Sequence, residues 1–236
     1  MIYSNVIEGT FLSRPNRFIA MADIKGNSVP CHVKNTGRLG ELLIPGKTKI
    51  YLTDHGETVK RKTRYSLISV EADGQYVNID SQAPNRVVWE WLAAGSPVPG
   101  SGGCLFREIT YLKPEQRYHS SRFDFYLEAD GSRIYMEVKG VTLRQNGIGR
   151  FPDAPTLRGL RHIEELCRCR KEGYEAYLLF IIQMEGVTRF EPNDTAQAAF
   201  RQALREAASA GVHILALDCL AGPDRLSIHG MIPAEF

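Results

Sequence analysis

The 236-residue chain shows two different patterns of apolar and polar positions. Up to Pro84 the apolar residues come in short runs rich in β-branched or aromatic side chains, at residues 19–24, 29–33, 48–52 and 65–71. Gly26-Asn27, Pro45-Gly46, Asp54-His55-Gly56 and Asp73-Gly74 separate these runs, and each is a turn signal. About five short strands in about 80 residues predict a small barrel. No helical period longer than two turns occurs before Pro84.

After Pro84 the period changes. Asn85 is placed to cap a helix over residues 86–94, with Val87, Val88, Trp91 and Leu92 on one face. Residues 95–103 hold four glycines and two prolines and predict a flexible loop. Three strands are expected next, over 105–112, 122–128 and 133–139, the last two joined at Ala129-Asp130-Gly131. A helix fits 157–171, with Leu157, Leu160, Ile163 and Cys167 at helical spacing and Gly173 closing it. Residues 177–182 predict a strand buried on both faces, 196–210 a further helix closed by Gly211, and 212–217 a final buried strand. This order predicts βαβ crossovers on a mixed sheet.

Composition adds limits. With 43% hydrophobic and 24% charged residues the chain is globular, which excludes disorder and fibrous classes. The longest clean apolar run, residues 176–182, is far short of the roughly 20 residues a membrane helix needs, so no membrane role is expected. The opening MIYSNVIEGT lacks a basic segment followed by an apolar one, so no secretory signal is read there. Five irregularly spaced cysteines imply no disulfide framework and fit a reducing cytoplasm. Residues 1–84 carry 11 Lys+Arg against 8 Asp+Glu, and the remainder 18 against 19, so the positive excess sits in the first third. That distribution favours an anionic partner for the first part.

Candidate chemistry centres on Asp124 and on Glu137-Val138-Lys139. Alternation along a strand puts Glu137 and Lys139 on one face. With the turn at 129–131, paired positions sum to roughly 261, so Asp124 is expected opposite Glu137, with Cβ atoms roughly 5 Å apart. Opposed carboxylates repel unless something positive lies between them. A divalent cation, Mg²⁺ or Mn²⁺, answers that need, and Lys139 could orient a water or stabilise charge on a phosphate. Neutralisation of the pair by Lys139 or Arg122 is the simpler alternative.

The order helix, three strands, helix, strand, with D and E-x-K on the second and third strands, resembles the core of the PD-(D/E)xK nucleases. That resemblance makes Asp124, Glu137 and Lys139 the catalytic set and Asp124 and Glu137 the metal ligands. It adds Glu90 on the first helix, or Glu108 on the first strand, as a third carboxylate, and Gln183 at the end of the strand after the crossover helix. Glu90 lies roughly 130° from the centre of the apolar helix face, where a solvated glutamate competes with a catalytic one.

The whole chain is similar to the sugar fermentation stimulation protein (SfsA) family. The similarity is carried by Arg14-Pro-Asn-Arg-Phe18, by His32 with Asn35-Thr36-Gly37, and by Leu42-Leu43-Ile44-Pro45-Gly46. Arg61-Lys62-Thr63, Pro84-Asn85-Arg86, Arg122-Phe-Asp124 and Glu137-Val-Lys139 continue it. Phe151-Pro-Asp-Ala154, Thr156, Arg158-Gly159 and His162 complete it. The resemblance implies an N-terminal OB-like β-barrel over 1–84 and a C-terminal PD-(D/E)xK nuclease-like mixed sheet with flanking helices over 85–236. It also implies non-specific DNA binding and a regulatory role in sugar (maltose) metabolism. The family usually has Asn after the Lys of E-V-K, where this chain has Gly140.

OB-like barrels hold nucleic acid by backbone charge and aromatic stacking. The candidate phosphate contacts are Arg14 and Arg17, Arg38 in the turn 35–38, Lys47 and Lys49, and the run Lys60, Arg61, Lys62 and Arg64. The backbone N–H groups of that turn could form an anion nest, or the turn could simply link strands. Single- or double-stranded DNA is thus the expected partner, with homodimerisation an expectation by analogy with nucleases that cut both strands. Three functions follow from these observations: a DNA-binding protein with a nuclease-like site, an active nuclease, or a metal-dependent enzyme on a small phosphorylated sugar. Cys167, Cys169 and His162 do not form a metal set, because helix residues two apart point about 200° apart.

Overall fold

The computed structural model describes residues 1–57, 61–98 and 102–236. The chain divides into two compact units. The first holds Met1–Ala83 with Gln183–Glu185 and Cys219–Ser227; the second holds Pro84–Ile182, Gly186–Asp218 and Ile228–Phe236. Residues 183–185 and 219–227, which the sequence pattern assigns to the second domain, thus fall with the first.

In the first unit, β1 (Val6–Asn16), β2 (Ile19–Ile24), β3 (Asn27–Val33), β4 (Lys49–Asp54), β5 (Tyr65–Ala72) and β6 (Gln75–Asn78) form one sheet. Its order is β3-β2-β1-β4-β5-β6, and a parallel β3–β5 pairing closes five of the strands into a barrel. Ala20, Ala22, Cys31, Val33, Ile50, Leu52 and Leu67 point inward and are fully buried. The small residues among them suit a narrow barrel. β1 escapes the apolar pattern because only Phe11 among its residues is buried. Gly9 is required there, since a Cβ would lie 2.8 Å from the carbonyl oxygen of Asp23 on β2.

The second unit opens with α1 (Ala83–Ala93). The helix begins earlier than the sequence suggests. The Asp80 carboxylate accepts the N–H of Gln82 and the Asp80 carbonyl accepts that of Ala83. Pro84 sits in the first turn, where its missing N–H costs nothing. Asn85 is therefore inside the helix and not its cap. Within the predicted flexible loop, β7 (Pro97–Val98) pairs with β8 (Gly103–Cys104).

Next come β9 (Ile109–Tyr118), β10 (Ser121–Ala129), β11 (Ser132–Val141), β12 (Leu143–Gln145) and β13 (Ile148–Phe151). They are followed by α2 (Leu157–Lys171), β14 (Glu175–Ile182), β15 (Arg189–Pro192), α3 (Asp194–Ser209), β16 (His213–Ala221) and β17 (Leu226–Ile232). β9 starts and ends later than the apolar pattern indicates, because residues 109–118 are mostly exposed and show little periodicity. The main sheet has the order β17-β16-β14-β11-β10-β9, and β12-β13-β15 form a small second sheet. β11, β14 and β16 are mutually parallel, while β9, β10 and β11 are antiparallel. The expected final strand is thus followed by one more.

Residues 178–182 are completely buried. Phe180 stacks on Phe190 at 4.0 Å and packs against Phe151 and Phe200. Each such ring contributes about 1.5–3 kcal/mol by leaving water. The β10–β11 hairpin turns at Asp130 (φ 51°) and Gly131 (φ 77°), the two left-handed residues a tight turn of this kind requires.

Candidate functional site

β10 and β11 carry the site. Phe125 pairs with Met136 and Tyr126 with Tyr135, which keeps the sum of 261. The regular ladder stops at Phe125. Beyond it one Asp124 carboxylate oxygen accepts the N–H of Val138 at 2.8 Å, taking the place of a backbone acceptor. The other accepts the side-chain amide of Asn85 at 2.7 Å. Burial and the neighbouring Glu137 charge push the Asp124 carboxyl up to about 6, against these two donors and Lys139.

Glu137 is buried on the central strand. Its Oε1 accepts from Lys139 Nζ at 2.5 Å and is also hydrogen-bonded to Nδ1 of His162 on α2. Its Oε2 is buried with no hydrogen-bond partner. Burial alone would raise the Glu137 carboxyl, but the bond from His162 and the charge of Lys139 hold it below its ordinary value. Arg158 Nε donates to His162 Nε2 at 3.3 Å. An N–H aimed at Nε2 leaves the imidazole proton on Nδ1, directed at Glu137.

His162, Asn85 and Arg158 are thus members of the site that the chemical reading overlooks. The apolar spacing on α2 predicts a face through Leu157, Leu160, Ile163 and Cys167, of which only Ile163 is buried. The buried face instead runs through Gly159, His162, Ile163, Glu165, Leu166 and Cys169, and Leu157 is 83% exposed. A Cβ on Gly159 would lie 2.7 Å from Thr156, the cap of this helix, so the first turn admits only glycine there. The signals available were the i, i+4 spacing of Arg158 and His162 and their place among the family segments.

The remaining candidates lie elsewhere. Glu90 is exposed and pairs with Arg86 at 3.3 Å. It is five residues from Asn85, about 140° around the helix from the side chain that reaches Asp124. Glu108 is exposed, precedes β9, and its N–H meets Asp130 at the hairpin turn, away from Asp124. Gln183 follows Ile182, which pairs with Val141, four residues past Glu137. Its amide donates to the Asn78 carbonyl and side chain and to the Asp80 carbonyl, all within the first unit.

In the barrel, the guanidinium of Arg14 donates to the carbonyls of Arg17, Asn35, Gly37 and Arg38 at 2.6–2.9 Å. It clamps the turn, and burial lowers its pKa. That turn presents carbonyls to a cation and not N–H groups to an anion, because the Gly37 N–H is taken by the Asn35 side chain. Arg64 holds Asp54 through two bonds and also meets Glu57, and Lys49 lies near Glu8 and Glu71. Arg17, Arg38, Lys47, Arg61 and Lys62 are exposed. Arg17 lies over the ring of Phe18, itself 45% exposed. Lys60 lies outside the described residues.

Among the described residues, no group of three or more His, Cys, Asp or Glu is gathered to hold a metal. Asp124 and Glu137 offer hard oxygen donors with one buried oxygen unanswered. That suits an open site for a cation that keeps part of its water shell.

Two family models match the chain: an SfsA N-terminal OB domain over residues 12–79 and a sugar fermentation stimulation protein RE domain over residues 82–225. The chain belongs to the SfsA family. A sugar fermentation stimulation protein homolog of Clostridium beijerinckii is 47% identical over 232 residues, 98% of each chain. One of Ruminiclostridium cellulolyticum is 51% identical over 220 residues, 93% of each. The solved structure of Pyrococcus furiosus SfsA, described as in complex with Ca²⁺, aligns with a TM-score of 0.84 at 30% identity, covering 100% of this chain and 98% of that one. Within the SfsA family match, the OB assignment covers the closed barrel from the middle of β1 onward and the RE assignment covers the strands bearing Asp124 and Glu137. No helix among the described residues is long and apolar enough to cross a membrane, and all five cysteines are free.

Proposed function

We propose that this SfsA-family chain is a non-specific DNA-binding protein whose second unit carries a divalent-cation site able to hydrolyse phosphodiesters. One observation carries the reading: half-buried Asp124 lies beside buried Glu137, with a Glu137 oxygen that nothing in the protein satisfies. Asp124 and the Oε2 of Glu137 would hold Mg²⁺ or Mn²⁺. The Ca²⁺ named with the Pyrococcus furiosus relative supports a hard, oxygen-ligated cation. Such a cation supplies Lewis-acid neutralisation at a phosphate. Asn85 and the Val138 N–H fix Asp124. His162, oriented by Arg158, fixes Glu137 so that Oε2 stays directed away from the imidazole. Lys139 keeps further N–H donors for charge on a phosphate oxygen.

DNA is held, in this reading, by the exposed cations Arg17, Arg38, Lys47, Arg61 and Lys62 on the barrel. About five phosphate contacts correspond to a log–log salt slope of about −4 to −5 on duplex DNA. The relatives' name attaches such a protein to sugar fermentation, and we read that role as regulation through DNA in a reducing cytoplasm. A second reading, a DNA binder without turnover, is favoured by the way Lys139 and His162 both engage Glu137 Oε1 and compensate its charge without a metal.

Supercoiled plasmid incubated with the protein and Mg²⁺ or Mn²⁺ separates the two. Nicking that needs the metal and is lost in Asp124→Ala supports the nuclease. Retarded but intact DNA with a steep salt dependence supports the binder, and no retardation at low salt sinks both.

A further inference from the structure

One side-chain cluster on the barrel is used by neither the cation site nor the exposed cation set as a whole. β3 and β5 run parallel, and His32 on β3 pairs directly with Ser66 on β5. Cys31 and Val33 fill the barrel interior, so alternation sends His32 outward. Ser66 Oγ lies 2.9 Å from His55 Nε2 and accepts from Arg61 at 3.3 Å. Lys34 is two residues past His32. We propose that His32, His55, Arg61 and Lys34 form a binding site for one phosphate group on the outer face of the barrel.

The donor inventory carries the proposal. His32 Nδ1 is buried and has no hydrogen-bond partner, a polar atom that a native fold rarely leaves unmet. Arg61 is exposed and has no carboxylate partner among the described residues. One of its five N–H groups reaches Ser66. Lys34 meets Asp80 at 2.6 Å, which leaves further ammonium N–H groups. Nearby negative charge is already answered: Asp80 by Lys34, and Asp54 by Arg64. Both imidazoles are held below their ordinary pKa, first by burial and then by Arg61 and Lys34, so the spot is electropositive. The donors come from a strand, the residue just beyond it, and two separate loop positions. That spread suits a tetrahedral group with several acceptor oxygens better than a flat carboxylate.

The ligand chemistry is a phosphate group, supplied either by a nucleic-acid backbone or by a free phosphate or phosphate end. In the first case the site deepens the DNA-binding reading and rests on it; in the second it stands alone.

The test uses the full chain carrying Asp124→Ala, so that cleavage cannot intervene, and follows the His32 and His55 imidazole resonances by NMR. The probes are inorganic phosphate and two short oligonucleotides differing only in a 5′-phosphate. Saturable movement of these two imidazoles, with those of His213 and His229 unmoved, is expected. Adding Arg61→Gln or His32→Asn should weaken it by about tenfold or more. Equal response to both oligonucleotides identifies the backbone. Response only to inorganic phosphate and the 5′-phosphorylated strand identifies a phosphate end. No saturable shift with any probe overturns the proposal. So does an undiminished shift in either variant, provided the variant melts as cooperatively as its parent. Because the readout sits in the barrel, loss of plasmid nicking would leave it unchanged, and the two proposals fail separately.

Discussion

Asp54 in the barrel and Asp124 in the sheet are the same residue in opposite circumstances. Asp54 accepts from Nε and Nη2 of Arg64, which pulls its carboxyl down to about 2. Asp124 is half-buried beside a second carboxylate and is pushed up to about 6. The barrel pairs Asp54 with Arg64 and Asp80 with Lys34 and leaves other cations exposed. The sheet brings two acids together and supplies neutral donors for one of them. A charge already matched stabilises a fold; a charge left mismatched at a fixed place is what a ligand can use. The same contrast separates Arg14, whose two terminal nitrogens are both turned onto carbonyls, from Arg17, which lies open on a phenylalanine ring.

The largest effect should come from removing the mismatch. Asp124→Ala is expected to lower metal-dependent nicking by about 10²–10³-fold, the size seen when one charge-stabilising group is lost. Asp54→Ala should leave nicking unchanged. Equal losses in the two variants would break the comparison.

Next in size is the clamp. Arg14→Ala removes the donors to three carbonyls of the turn 35–38 and to that of Arg17, and is expected to cost about 2–3 kcal/mol in urea unfolding. Arg17→Ala should cost less than about 0.5 kcal/mol. A destabilising Arg17→Ala would mean that the barrel's exposed cations are structural after all.

The pH dependence of the metal-free chain gives the third test, and the two aspartates should act with opposite sign. Asp124 has a folded pKa above its unfolded one. Between about pH 4 and 6 the unfolded chain ionises first, so stability falls as pH rises, by about 2 kcal/mol once burial is only partial. Asp124→Asn should flatten that slope. Asp54 has a folded pKa below its unfolded one. Its contribution is present above about pH 4 and is lost as pH falls towards 2. Denaturant melts across pH 2 to 7 on both Asn variants check the signs.

The smallest effect concerns DNA. Arg17→Gln with Arg38→Gln should reduce the magnitude of the log–log salt slope by roughly 2, with folding unchanged. An unaltered slope would remove these two from the phosphate contacts.

Much of this was legible in the chain itself. The turn chemistry of residues 129–131 fixed the hairpin register, and with it the neighbourhood of Asp124 and Glu137, because strand pairing next to a tight turn is a local property. The bounds of α2 and the apolar face of α1 followed from period and capping for the same reason. Glu90 already stood off that face in the sequence, and it does so in the fold.

Other features only the tertiary structure decided. Which face of α2 is buried depends on what the sheet offers it, and Glu137 draws His162 inward where the apolar spacing favoured Leu157 and Leu160. Asn85 became a partner of Asp124 only because Asp80, three residues before Ala83, starts the helix. Arg14 reads as a phosphate contact until three carbonyls of a distant turn, with that of nearby Arg17, close on it, and Gln183 reads as a site residue until Asn78 and Asp80 claim its amide. Periodicity encodes an element and its apolar side, since both depend on neighbours in sequence. The partner of a polar group depends on residues far away in the chain, and only packing brings those within hydrogen-bond reach.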